Sequence, residues 1–407
     1  MTHPRIFNSN RFARQGLLGR CLLAVILVAQ LTHCGGGDSK TGSNGTGMTP
    51  PDALLVASGP ITSLGPTGIG GTALDDAGAV LQINARLPRP VSEIRLGMTV
   101  EAGGTLAENA SRGTVLTLTA QSAVVGPVSN INSATLRLTV LSVPVQVDQN
   151  TILEGFPSLA SLAIGARVEV YGLPQPQSNA ITATRIIALP ADSTAAVEIL
   201  GTATGVSGTQ FNLQGITVAT GGAVLIIGGL LPSPAPPISS IGENARVRVI
   251  GSFDAARNTF IATQIIGGLN PVRNDNSVLV LDGLVQSVSA VGRFRVNDTE
   301  VDATAAGAGT LLPGTHVQVR GRKLAGILVA NEFRLIGASA RIEYVVQGVV
   351  TDFISLANFK VRGEAINAGS AIFIGGAAAL VANGRQVRIK AFAGPGQLTA
   401  TELTFVL

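Results

Sequence analysis

Asp298, Glu300 and Asp302 in VNDTEVDAT stand at i, i+2 and i+4. A regular strand turns all three carboxylates to one face, and hard oxygen ligands gathered there suit a weak Ca²⁺ site. The preferred reading is simpler: a charged solvent face that discourages edge pairing. Cations recur as well. Arg246 and Arg248, Arg320 and Arg322, and Arg388 and Lys390 alternate with apolar residues in three similar strands, which assigns them to the outward faces. If the strands stack with a regular rotation, these six residues form a cationic stripe suited to an acidic polymer, because each guanidinium fork grips two oxygens at once. Without such stacking they are the charged outer faces of soluble strands. The two earlier equivalents are weaker, with Arg167 beside Glu169 in one and Glu101 in the other.

Catalysis by a histidine base needs a nucleophile and an orienting acid within reach. Downstream of residue 33 the chain has one histidine, His316, placed where its strand begins to alternate, and it reads as a solvated strand edge. A zinc site needs three or four Cys, His or carboxylate ligands, more than His316 and Cys34 supply. Asp75, Asp76 and Asp275 lie in turns rich in Gly or Asn, where Asp bonds its own backbone. The glycine clusters do not form a Walker-type phosphate loop. No catalytic residue, metal or cofactor is assigned, and the chain reads as non-enzymatic.

The elements that hold these residues repeat. A glycine followed by an alternating strand occurs five times: LGMTVEAGG at 96–104, IGARVEVYG at 164–172, IGENARVRVIG at 241–251, PGTHVQVRG at 313–321 and NGRQVRIKA at 383–391. Its leading glycines, Gly97, Gly165, Gly242, Gly314 and Gly384, are spaced by 68, 77, 72 and 70 residues. A strand close to Ala-Thr-x-Ile follows, as in ATRII at 183–187 and ATQII at 262–266, and a Gly-led strand such as GLVQSVS at 283–289 opens each unit. Three marks in one order, five times over, divide the chain into repeats at 53–122, 123–190, 195–269, 277–337 and 341–407, the first degenerate. Within each, the period of two and the Val, Ile, Thr and Phe content indicate strands. Phe211, Phe294 and Phe359 recur in the second strand and belong to cores, with Leu136 or Leu138 standing in for them in repeat two. The stretches 158–165 and 374–384 are long enough for one or two helical turns. About five strands with one helical turn between the third and fourth fit an all-β unit, either a small OB-like barrel or a short sandwich. The prolines of 228–242 mark an extended loop, and 270–276 reads as a linker.

Behind a Gly run, this series of V-x-V-x-G strands followed by Ala-Thr-x-Ile resembles a bacterial family of tandem small β-domains catalogued as a domain of unknown function. The resemblance spans about 350 of the 407 residues. It implies fold and compartment and no activity.

Residues 1–33 read as a signal peptide: Arg5, Arg11, Arg14 and Arg20 without an acidic residue, then an apolar run from Cys21 to Ala29 that is too short to span a bilayer. Leu31-Thr32-His33-Cys34 resembles the lipobox of bacterial lipoproteins, with His33 where that pattern has a small residue. The resemblance implies a lipid on Cys34 and, from Gly35 after it, an outer-membrane destination facing the periplasm or the cell surface. The stretch 34–52 is a flexible tether rich in Gly, Ser and Thr. The whole chain carries 28 basic and 24 acidic side chains, and removal of the four signal arginines leaves it formally neutral. Nucleic acid is therefore not an expected partner. The expectation is a non-enzymatic envelope lipoprotein, a spacer or interaction scaffold held to the membrane by its N-terminal lipid and touching envelope proteins. The alternative is a binding module for an anionic polymer, lipopolysaccharide or another acidic glycan, through the arginine stripe. The absence of Trp and the two tyrosines, Tyr171 and Tyr344, leave little to stack on sugar faces.

Overall fold

The computed structural model describes residues 53–106, 112–193, 196–227, 237–269 and 273–406. The signal segment 1–33, Cys34 and the tether 34–52 lie outside the described residues. So do 228–236 of the proline-rich loop and 270–272 of the linker.

The described chain is almost wholly β, and its strands close into five small barrels in tandem. The third shows the pattern. The five strands of its cycle, numbered one to five, are Val197–Thr204, Gln210–Leu213, Ile216–Ala219, Arg246–Asp254 and Thr259–Gly267, and a short extra strand outside the numbering, Val224–Ile227, runs parallel to the fifth. They pair in the cyclic order one, two, three, five, four and back to one, with the three–five pairing parallel and the others antiparallel. The same cycle closes in the other four units. A closed cycle is a barrel and not a sandwich, and the order is that of an OB-like layout. Single 3₁₀ turns at Val91–Glu93, Leu159–Ser161, Ile238–Ser240 and Ala378–Leu380 precede the fourth strand in all barrels but the fourth, among the described residues.

The repeat is also one of register. The Gly-led mark lies inside strand one, which begins before it, and its glycine faces the first Val of strand four in every barrel: Gly59↔Val100, Gly126↔Val168, Gly201↔Val247, Gly283↔Val317 and Gly348↔Val387. Further along, strand four slips against strand five at one shared position, a bulge between Gly103 and Gly104, Tyr171 and Gly172, Ile250 and Gly251, Arg320 and Gly321, and Lys390 and Ala391. The motif's closing glycine is explained there. A Cβ at Gly104, Gly172, Gly251 or Gly321 would overlap a backbone carbonyl of strand five. In barrel five Ala391 takes this place.

Alternate strand residues fill the barrel interiors. Phe211, Phe294 and Phe359 are buried, and Leu138 takes the equivalent place in barrel two while Leu136 is exposed. Barrels one and five share one apolar cluster, which also takes in Ile152 and Tyr171 of barrel two and Val280 of barrel four, barrels two and three share another, and barrel four has its own.

The barrels do not form a regular stack. Strand one of barrel one, Ala53–Leu64, runs parallel to strand one of barrel four over Leu55↔Val278 to Ser58↔Leu281. At its far end it runs parallel to strand one of barrel five, Ser63↔Val345 and Leu64↔Val346. Barrels two and three join antiparallel at Val125↔Glu198 and Val124↔Ile199. The described residues from Ala53 onward thus pack as one compact unit, with neighbours in space that are not always neighbours in sequence.

Candidate binding cleft

The shared register gives strand four a third position, directly across from the residue before the strand-one glycine. It holds Glu101, Glu169, Arg248, Gln318 and Arg388 in barrels one to five. In the first four barrels this side chain turns toward a junction with another barrel or with its own first strand. Only Arg388 is classed as exposed.

Arg248 corrects the outward assignment most sharply, because its side chain is wholly buried. Nη1 donates to Glu198 Oε2 at 3.0 Å, and Nη2 donates at 2.7 Å to both Gln121 Oε1 and the Ser122 carbonyl. Arg86 pairs with the same Glu198. The charge is inside because the ends of barrels one and three meet over it, and a buried cation is tolerated only when its donors are matched. Burial pulls the guanidinium below its ordinary value despite Glu198. A second buried arginine, Arg185, sits in the x position of Ala-Thr-x-Ile in barrel two. It donates to Glu154 at 2.5 Å, to Glu364 at 3.0 Å and to the Leu96 carbonyl at 2.8 Å, which ties barrels two, five and one. Burial opposes its charge, and the two carboxylates more than offset that, raising it overall.

The other members of the expected stripe do not continue it. Arg246 is half-buried and faces the cleft described below. Arg320 pairs with Glu332 at 3.4 Å and Lys390 with Glu402 at 3.1 Å, each across to strand five. Arg322 donates to the Asn276 carbonyl. The register explains the break: Arg246 and Arg248 are first and third in strand four, Arg388 and Lys390 third and fifth, and Arg320 fifth, with Arg322 beyond the bulge.

The acidic triplet is likewise divided. Asp302 faces Arg293 and Glu300 faces Arg295 across strands two and three of barrel four, with ion pairs at 2.9 and 3.3 Å. Asp298 lies in the preceding turn and pairs with Arg273 of the linker. Hydrogen bonds from Thr304 and Arg293 hold the Asp302 carboxyl below its ordinary value. Among the described residues no group of three or more His, Cys, Asp or Glu is placed to hold a metal ion. His316 is not a solvated edge: Nε2 lies 2.5 Å from Oδ1 of Asp282, a buried strand-one carboxylate that also accepts from Gln318 Nε2 at 2.7 Å.

Barrels one to four meet around a cleft of about 730 Å³. Strand four of barrel one contributes Thr99 and Glu101, and strands one and four of barrel three contribute Thr202 and Arg246. Barrel four adds Asp282 and Asn297, and barrel two adds the end of its strand four and the turn at Ser178–Ile181. Burial pushes the Glu101 carboxyl up to about 7, against the pull of Arg273 and Arg246. The same burial lowers Arg246. Sequence reasoning missed Asp282, Glu198, Arg185 and Glu364. The one signal for them was a charge interrupting an otherwise apolar strand, as Arg185 does in ATRII.

Residues 125–187 match a domain of unknown function, DUF5666. The match begins in strand one of barrel two and ends within its strand five, Ile181–Ala188. It therefore coincides with one complete barrel cycle. The DUF5666 barrel has the register and the strand-four bulge of its four neighbours. A search of curated proteins finds no match for this chain.

Proposed function

We propose that this chain is a non-enzymatic envelope lipoprotein that acts as an interaction scaffold, with the cleft among barrels one to four as its binding surface. The observation that carries the reading is the cleft itself. Its volume of about 730 Å³ falls in the range of about 300–1,000 Å³ typical of ligand sites, and four barrels supply its walls. Closely packed barrels hold such walls rigidly, which favours a binding body over an extended spacer. Reach from the membrane then comes from the tether after a lipid-bearing Cys34. The stripe-based alternative, an acidic polymer held by six cations, loses support with Arg248 buried and Arg320 and Lys390 paired.

The experiment places a photo-crosslinking amino acid at Gln82, an exposed residue on the cleft wall, and illuminates intact cells. The product is purified by a C-terminal tag and its N-terminus is weighed. The reading expects one adduct class at position 82, absent when the probe sits at exposed Arg388, on a chain whose N-terminus is acylated Cys34. No adduct at 82, or an N-terminus without lipid, contradicts the corresponding half of the reading.

A further inference from the structure

The binding reading above leaves the ligand open, and the inference drawn here rests on that reading. The cleft wall carries several amides: Gln82, Gln121, Asn179, Gln214, Asn244 and Asn297 all line it, with threonine hydroxyls between them. An amide carries a donor and an acceptor side by side, the pattern that a sugar hydroxyl, itself donor and acceptor, completes; Gln121 offers only its donor, because its Oε1 already accepts from Arg248. Gln214 donates from Nε2 to the Leu200 carbonyl at 2.8 Å, which fixes its amide on the wall.

The charges on the wall are already answered from within the protein. Asp298 is paired with Arg273, Asp282 with His316 and Gln318, and Glu101 is faced by Arg273 and Arg246. An ionic ligand would have to displace these partners, whereas a neutral one leaves them in place. No aromatic ring lines the cleft among the described residues. Ring stacking is therefore absent for a flat aromatic ligand and for a sugar face alike, and contact falls to the amides and hydroxyls together with apolar wall residues such as Leu173, Ile181 and Leu200. We propose that the cleft binds an uncharged, hydroxyl-rich ligand, a short segment of neutral oligosaccharide, read by its amide side chains.

The test titrates the full-length chain with maltohexaose and chitohexaose as neutral probes and hexagalacturonate as the acidic one. Gln82→Ala, and Gln82→Ala combined with Thr202→Phe, remove a hydrogen-bonding wall residue and then fill the space. Both positions are exposed, so an unchanged unfolding midpoint serves as the folding control. The inference expects saturable binding of a neutral hexasaccharide, unaffected by salt, weakened in the single variant and lost at least tenfold in the double. Preference for hexagalacturonate, lost in the same double variant, overturns the neutral class while leaving the cleft as the binding surface. Binding that survives the double variant, or no binding of any probe, overturns the inference, and the crosslink at Gln82 then decides the cleft reading separately.

Discussion

Arg248 and Arg388 occupy the same third position of the same strand in two barrels, across from Leu200 and Gln347 in one register. One is wholly buried and bonded to Glu198, Gln121 and Ser122, and the other is exposed. The motif fixes the strand and the side of the strand on which each residue lies. Whether that side meets water is decided by the neighbouring barrel. Barrel three offers this face to the end of barrel one, and barrel five leaves it open. Position in a repeat is therefore a guide to backbone and a poor guide to environment.

Several substitutions sharpen or break this contrast, beginning with the largest. Arg248→Ala leaves Glu198 buried with Arg86 as its remaining cation, and it is expected to cost about 3–5 kcal/mol in chemical denaturation. Arg388→Ala is expected to stay within about 0.5 kcal/mol, as for ordinary surface sites. Equal costs for the pair would break the contrast. Arg185→Ala is expected to match Arg248→Ala, at about 3–5 kcal/mol, because it strands Glu364. Replacing the two buried partners, Arg185→Met with Glu364→Leu, is expected to recover most of that loss, since no buried charge is left uncompensated and Glu154, the other partner of Arg185, is exposed to water.

Glu101, the third-position residue of barrel one, gives an intermediate effect with a defined pH window. Folding raises its carboxyl from the ordinary 4.5 to about 7. The folded chain thus holds the proton more tightly than the unfolded chain, and stability falls as pH rises between those values. Glu101→Gln is expected to flatten that fall, gaining about 1–2 kcal/mol on the parent between pH 4.5 and 7.5 once solvent screening of a partly exposed group is allowed for. Denaturation midpoints measured across that range check it, and parallel curves for the two proteins would refute the burial of Glu101. A small effect is also expected at the acidic face, where Arg295→Ala removes an exposed cross-strand partner of Glu300 at a cost of about 0.2–1 kcal/mol.

Strand content, the strand-four motif and the aromatic core positions were legible in the sequence because each depends on residues close in the chain. Period-two alternation marks Phe211, Phe294 and Phe359 as interior, and the Val-x-Val strand carries its closing Gly at a bulge. Barrel closure could be weighed from strand count but not decided, since the closing pair joins strands one and four. The cleft was illegible. Its residues come from four barrels, and its walls exist only because strand one of barrel one pairs with barrels four and five while barrel two pairs with three. The arginine stripe failed for the same reason: alternation cannot tell a solvent face from a face that another barrel covers. His316 looked solitary because its partner, Asp282, lies 34 residues away on the adjacent strand.

The central claim is that inter-barrel packing, not the repeat motif, sets the environment of each third-position residue. Hydrogen exchange of the full-length chain, resolved strand by strand, tests it most directly when Arg248→Ala is compared with the parent. The packing account predicts faster exchange in Val197–Thr204 and Arg246–Asp254 of barrel three together with Arg112–Ala120 of barrel one, whose end supplies Gln121 and Ser122 to the buried guanidinium. Acceleration confined to barrel three, with barrel one unchanged, would contradict it.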